Sequence, residues 1–131
     1  SKIKMEKAKT FEIEHLLEYL IKPWGIPEEI EKAIISSIQS HKYMAKIIIR
    51  CMEHENATIR WNVIRILGQI PKVDKTIVRR IALRLIHDEE WWVRWRAFQT
   101  LVALYKRGIK LPPAGAYFKI SKKGSVSVLS P

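Results

Sequence analysis

The sequence predicts an all-α protein, a short right-handed α-solenoid of about three antiparallel helix pairs with a C-terminal extended segment or β-hairpin. Three observations lead to this fold class. Apolar residues recur at helical spacing in successive segments, two stretches repeat each other at a constant offset, and the pattern becomes alternating after Pro113. We expect a helical repeat domain at residues 1–110 and a basic tail at residues 111–131.

Each predicted helix has its own start or stop signal. The first runs from Thr10, a candidate N-cap, to Lys22, and "KPWGIP" ends it because Pro23, Gly25 and Pro27 resist helix continuation. Pro27 then suits the first turn of a second helix, where acidic residues meet the favourable end of the helix dipole. The remaining helices are predicted at residues 42–53, 59–70, 75–87 and 90–107.

The tail has a different pattern. In "AYFKISKKGSVSVL", apolar and polar residues alternate around Lys-Lys-Gly, which is typical of a β-hairpin. An isolated hairpin is marginally stable in water. We therefore expect the tail to dock on the helical body, and two alternatives stay open, namely pairing with a partner's strand edge and disorder.

The internal repeat appears when "RCMEHENATIRWNVIRIL" (50–67) is placed over "RLIHDEEWWVRWRAFQTL" (84–101). The matched pairs are Arg50 and Arg84, Glu55 and Glu89, Ile59 and Val93, Arg60 and Arg94, Trp61 and Trp95, and Leu67 and Leu101. A repeat of this period is typical of helix pairs stacked into a solenoid.

Both stretches resemble the HEAT-repeat family, in which a short acidic or polar turn joins two antiparallel helices and Val-Arg begins the second helix. "HDEEWWVRWRAFQTLVAL" carries this pattern, with Asp88 six residues before Arg94. "HENATIRWNVIRILGQI" carries it with His54 in place of the aspartate. The resemblance covers about residues 42–107, and it implies a fold rather than a function.

Two matched arginines point to the packed side of their helices. Steps of 100° per residue place Arg60 and Arg94 among the apolar positions. A buried guanidinium needs acceptors, which Asp88, Glu89, Glu55 and carbonyl groups in the turns can supply. The resemblance implies that this arginine forms a polar ladder between successive turns. We therefore expect a structural role for Arg60, Arg94, Asp88 and Glu55, with ligand binding as the alternative.

The tryptophans of the last helix have two interpretations. A stripe of residues at helical spacing is more typical of a core than of a binding surface, and we expect "AYFKI" to cover it; its members are Trp91, Trp95, Phe98, Val102 and Tyr105. Trp92 projects instead on the polar side near Arg96, Gln99 and Lys106. There it can stack on a base or anchor a peptide, or it can pack under the tail or against the preceding turn.

The net charge of +11 is unevenly distributed, because residues 1–35 carry −1, residues 36–90 carry +4 and residues 91–131 carry +8. This asymmetry favours an anionic partner, either an acidic protein, nucleic acid or a membrane surface. The alternative is the solvated surface of a lysine-rich protein. The candidate residues for binding a partner or nucleic acid are Trp92, Arg96, Lys106, Arg107, Arg80, Arg84, Lys122 and Lys123.

No motif in the sequence predicts catalysis. The four histidines lack the HExxH spacing, there is one cysteine, and no glycine-rich phosphate loop is present. Some HEAT-like DNA glycosylases carry Trp-Trp-Asp, but "WWV" places Val93 where the carboxylate would be. We therefore expect no catalytic residue, metal ligand or cofactor. The favoured hypothesis is a binding module for an acidic protein, and the alternative is a sequence-nonspecific nucleic-acid binder.

Three further expectations come from composition. No signal peptide and no apolar run of membrane-spanning length is seen, which predicts a cytoplasmic protein. Abundant isoleucine and lysine with few Asn, Gln and Cys residues favour a thermophilic source. The sequence leaves the oligomeric state open.

Overall fold

The computed structural model describes residues 15–23, 25–111, 118–120 and 126–128, and this part of the chain is predominantly helical, as predicted. The helices are α1 (residues 15–20), α2 (Glu28–Ser40), α3 (Lys42–Arg50) with a following 3₁₀ turn (Cys51–Glu53), α4 (Ala57–Leu67), α5 (Lys75–His87) and α6 (Trp91–Lys106). Strands β1 (Phe118–Ile120) and β2 (Val126–Val128) pair antiparallel. None of the described helices is long and apolar enough to cross a membrane.

Side-chain caps explain where α4 and α5 begin. The Asn56 side-chain oxygen accepts hydrogen bonds from the backbone amides of Thr58 and Ile59 at 2.9 and 3.3 Å. The Asp74 carboxylate accepts one from the amide of Ile77 at 2.9 Å. Such caps satisfy amides that have no partner within the helix. Helix α4 therefore starts two residues before the predicted boundary at residue 59, whereas α5 has the predicted bounds.

The core is formed by buried apolar side chains from all of the helices α1 to α6. Helix α6 packs against both α4 and α5, and α2 packs against α3. Among the described residues, the largest fully buried side chains are Leu20, Met44, Ile48, Met52, Ile59, Ile64, Ile66, Leu67, Ile81, Leu101 and Leu104. Thr10, the predicted cap of the first helix, lies outside the described residues.

Two buried polar residues join α4 to the helices before it. The Asn62 amide donates a 2.6 Å hydrogen bond to the carbonyl of Leu20 and so satisfies one of the free carbonyls at the end of α1. Glu31 of α2 is buried and accepts hydrogen bonds from Arg65 at 3.1 Å and Gln69 at 2.8 Å. Both contacts position α4 against the first helix pair.

Helices α4 and α6 approach closely at Gly68, the residue that ends α4. A Cβ atom at Gly68 would lie 2.8 Å from Cγ2 of Thr100 in α6. Thr100 is itself buried, and its hydroxyl donates to the carbonyl of Ile64 at 3.3 Å. A side chain at Gly68 therefore requires a shift of Thr100 or of α6.

We expect Gly68→Ala to lower the free energy of unfolding by about 1 kcal/mol, because overpacking costs about 1–3 kcal/mol and the less flexible unfolded chain offsets about 0.4–1 kcal/mol. Thr100→Ser removes the methyl group in the way and keeps the hydroxyl. In that background Gly68→Ala should be neutral or stabilising. Urea denaturation measures both changes, and an equal cost in the two backgrounds would show that the contact with Thr100 is not the cause.

Candidate partner-binding surface

A buried ion pair connects the turn before α4 to the turn before α6. Nε and Nη2 of Arg60 donate to the two carboxylate oxygens of Asp88 at 2.8 and 2.9 Å. Nη1 of Arg60 donates to the carbonyls of His54 and Glu55 at 2.8 and 3.0 Å. The side chains of Arg60 and Asp88 are 7% and 0% exposed. All three nitrogens of this guanidinium are therefore occupied within the protein.

Burial and hydrogen bonding act in opposite directions on this pair. Burial alone would raise the pKa of Asp88, but hydrogen bonds from Arg60 and the Glu90 amide, with the charges of Arg60 and Arg84, lower that pKa below its ordinary value. The hydrogen bond to Asp88 raises the pKa of Arg60, and burial only partly opposes it. Both groups are thus charged at neutral pH, and the pair links two turns that are distant in sequence.

Arg94 has the position in α6 that Arg60 has in α4, as the alignment of the two repeats places them. Its Nη1 donates to the carbonyl of Asp88 at 2.6 Å, just as Nη1 of Arg60 donates to the carbonyl of His54, six residues before it. Arg94 is only half-buried. The exposed Glu55 contributes to this polar network through its carbonyl and not, as expected from the sequence, through its carboxylate.

Two exposed tryptophans surround Arg94 on α6. Trp91 is 68% exposed and Trp95 is 54% exposed, and the Trp95 ring stacks on Phe98 with 5.4 Å between centroids. With Leu85 they line a groove of about 240 Å³. We call this surface, formed by Leu85, Trp91, Arg94, Trp95 and Phe98, the α6 groove.

The α6 groove corrects the expectation that the aromatic stripe of α6 belongs to the core. Trp91, Trp95 and Tyr105 are exposed, and Phe98 and Val102 are half-buried. The apolar spacing places these side chains along one side of α6, but the described helices do not enclose that side. Ala116 and Tyr117 of the expected cover lie outside the described residues.

Of the two interpretations of Trp92, the structure favours packing within the protein. Trp92 is half-buried and packs against the core, so among the described tryptophans the exposed ones are Trp91 and Trp95 of the α6 groove. The neighbouring Arg96 stacks over the ring of Trp61 on α4, 4.6 Å from its centroid. Burial, together with the nearby charge of Arg65, lowers the pKa of Arg96. Trp92 and Arg96 therefore belong largely to internal packing.

Arg107 was predicted to face a partner, but its guanidinium binds the end of α4. Nη1 and Nη2 donate to the carbonyls of Gly68 and Ile70, both at 2.6 Å. Both carbonyls belong to the segment directly after α4, so the arginine ties the end of α6 to that segment. The adjacent Lys106 is exposed.

The other predicted basic residues are also paired within the protein where the structure describes them. Arg80 lies 3.8 Å from Glu53, and Arg84 lies 3.6 Å from Asp88. Both cations therefore have a nearby carboxylate. Lys122 and Lys123 lie outside the described residues.

Comparison with known proteins yields no family model, no curated protein and no solved structure that matches the chain. Within the described ranges, no three or more His, Cys, Asp or Glu residues are grouped so as to hold a metal ion. Cys51 is buried, and burial raises the pKa of its thiol. The α6 groove is therefore the surface on which a functional interpretation can be based.

Proposed function

We propose that this protein is a non-catalytic binding module of the HEAT-like α-solenoid class, which binds an acidic protein partner through the α6 groove. The observation that supports this proposal is the exposure of Trp91 and Trp95 on either side of Arg94. Tryptophan and arginine are the residues most enriched at the energetic centres of protein interfaces. The net charge of +8 in residues 91–131 favours an acidic partner over a neutral one.

The solenoid arrangement is supported by the contacts between the two repeats. Helices α4 and α6, which carry the matched halves of the repeat, pack against each other. Their preceding turns are joined by the Arg60–Asp88 pair. Stacked hairpins of this kind contact only their neighbours, and among the described residues no further hairpin covers the outer face of α5 and α6. In this proposal, that face carries the α6 groove.

A nucleic-acid partner is the second candidate class, because the chain carries a net charge of +11. Binding to a phosphate backbone depends on several cations that are free to contact it. Arg107 instead donates to carbonyls within the protein, Arg84 lies beside Asp88, and Arg80 lies 3.8 Å from the exposed Glu53. We therefore favour the acidic protein.

Site-specific photo-crosslinking tests the proposed surface. A benzoylphenylalanine at position 91 should crosslink to acidic proteins, and the same residue at Tyr43, which is 60% exposed on α3, serves as the matched control. The double substitution of Trp91 and Trp95 by alanine should weaken capture roughly thirtyfold for each hot spot of about 2 kcal/mol. Its thermal unfolding midpoint should stay close to that of the wild type, because both side chains are more than half exposed.

Two outcomes would contradict the proposal. Equal crosslinking from positions 91 and 43 would remove the α6 groove as the binding surface. Titration of labelled single- and double-stranded DNA and RNA at low and moderate salt tests the second class. Tight binding that is lost steeply with added salt, and is unaffected by the tryptophan substitutions, would favour nucleic acid over protein.

A further inference from the structure

Each residue of the α6 groove has a counterpart at the matched position of the earlier repeat. The counterparts of Leu85, Trp91, Arg94, Trp95 and Phe98 are Cys51, Ala57, Arg60, Trp61 and Ile64, in that order. The earlier set is enclosed, with Ile64 at 0% and Arg60 at 6% exposure. In the later set Leu85 is also buried, but Trp91 and Trp95 are 68% and 54% exposed. The two surfaces are thus equivalent in sequence and differ in what covers them.

Three contacts show what covers the earlier set. The Asp88 carboxylate pairs with Arg60, the Arg96 guanidinium stacks on Trp61, and the Thr100 hydroxyl donates to the carbonyl of Ile64. All three contacts come from α6 and the turn that leads into it. The chain therefore contains one example of the structure that fits this kind of surface, a helix preceded by an aspartate.

One part of the Arg94 guanidinium makes the same hydrogen bond as the corresponding part of Arg60. Nη1 of each arginine donates to the carbonyl six residues before it. In Arg60, Nε and Nη2 hold the carboxylate of Asp88. Nε and Nη2 of Arg94 have no acceptor within the part of the chain that the structure describes. Two parallel N–H groups of this kind match the geometry of a carboxylate.

We infer that the α6 groove, taken as the binding surface proposed above, receives a helix of a partner protein that is preceded by an aspartate. The aspartate pairs with Nε and Nη2 of Arg94, and the apolar face of the helix covers the exposed rings of Trp91 and Trp95. This inference rests on the proposed function and adds the kind of partner. The contact would repeat, between two chains, the packing of α6 on α4.

Two occupants from this sequence, the tail and a second copy stacked by its first hairpin, do not match the groove. Residues 112–131 contain neither Asp nor Glu, so the tail has no side-chain carboxylate to offer Arg94. A second copy stacked by its first hairpin would present Leu20, which takes the place of His54 and Asp88 when the same repeat spacing is continued towards the N-terminus. Leucine cannot pair with a guanidinium. A different, acidic protein is therefore the occupant that the groove fits.

A synthetic peptide provides a defined probe. The fluorescein-labelled peptide "HDEEWWVRWRAFQTLVAL", which copies residues 87–104, contains the helix and aspartate that cover α4. We expect it to bind the intact protein in fluorescence anisotropy. Asp88→Asn in the peptide should weaken binding about tenfold or more, as expected for a close charge pair. A scrambled peptide of the same composition is the control for nonspecific adhesion.

Variants of the protein test whether the difference in affinity between the two peptides depends on Arg94. Arg94→Gln should bind the aspartate and asparagine peptides with equal affinity. Arg94→Lys keeps the charge without the paired N–H geometry, so it should keep only part of the discrimination. Circular dichroism confirms that each variant is folded. Discrimination that disappears in Arg94→Gln and is partly retained in Arg94→Lys supports the inference.

The following outcomes would contradict the inference of an aspartate-led helix. Equal affinity of wild-type protein for the two peptides, or no binding of either, removes the aspartate-led helix as the occupant. Concentration-dependent dimerisation in light scattering, lost in the Trp91 and Trp95 double variant, assigns the α6 groove to a second copy. In each of these cases the proposed function stands if position 91 still crosslinks to acidic proteins, and it fails if positions 91 and 43 crosslink alike.

Discussion

Replacement of Asp88 by alanine is expected to lower the free energy of unfolding by about 3–5 kcal/mol, because one partner of a buried pair is removed while the other stays buried. The Asp88 side chain is 0% exposed and accepts two hydrogen bonds from Arg60. Without it, the guanidinium keeps its charge in a place from which water is excluded. Urea denaturation of the variant and of the wild type measures the loss.

A double-mutant cycle separates the ion pair from the packing around it. Arg60→Met combined with Asp88→Ala removes both charges, so no unpaired charge is left buried. We expect the double variant to lose less stability than the sum of the two single variants. Strict additivity would show that Arg60 and Asp88 do not stabilise each other in solution.

The pH dependence follows from the lowered pKa of folded Asp88. A carboxyl whose pKa is lower in the folded state contributes stability that is fully present above its unfolded pKa of about 3.9. That contribution is lost as the pH falls through the folded pKa. The stability difference between wild type and Asp88→Asn should therefore be largest at neutral pH and shrink in acid. A difference that grows below pH of about 3.9 would contradict the assignment of the charge to Asp88.

The second large effect compares equivalent positions on α4 and α6. Ile64→Ala should cost about 2–5 kcal/mol, since Ile64 is 0% exposed and the substitution leaves a cavity in the core. Phe98, its counterpart in the later repeat, has the larger side chain but is half-buried on the α6 groove. We expect Phe98→Ala to cost less than Ile64→Ala, which reverses the order that side-chain size predicts. Urea denaturation of the two variants under the same conditions makes the comparison.

The opposite order of the two stability losses would contradict this expectation. A larger loss for Phe98→Ala than for Ile64→Ala would show that the α6 groove is enclosed in solution. It would then be unavailable to a partner. Leu83→Ala, on an α5 side chain that is 46% exposed, provides a surface control for which only a small change is expected.

Local sequence patterns predicted the positions of the helices along the chain. Apolar spacing predicted α5 at residues 75–87, and the structure has the same bounds. At α4 the side-chain cap of Asn56 moved the start to Ala57, because a cap acts on the next two or three amides and apolar spacing does not report it. Helix boundaries were thus predictable to within a few residues.

The partners of the basic residues could not be predicted from local sequence patterns. Arg107 looked free in the sequence, yet it binds carbonyls 39 and 37 residues earlier in the chain. Arg60 binds a carboxylate 28 residues later. Donors and acceptors this far apart in the sequence come together only through tertiary packing. The charge pattern therefore gives the number of cations but not which of them are paired within the protein.

By itself, the sequence determined that two similar helical segments exist, that each carries an arginine among apolar residues, and that α6 has an aromatic face. Only the tertiary structure decided which of the two equivalent faces is covered. Helical periodicity specifies which side chains share a face, whereas burial depends on the neighbour that packs against it. α6 lies over α4 and encloses Arg60, while among the described residues no later helix lies over α6, which leaves Trp91, Trp95 and part of Arg94 open.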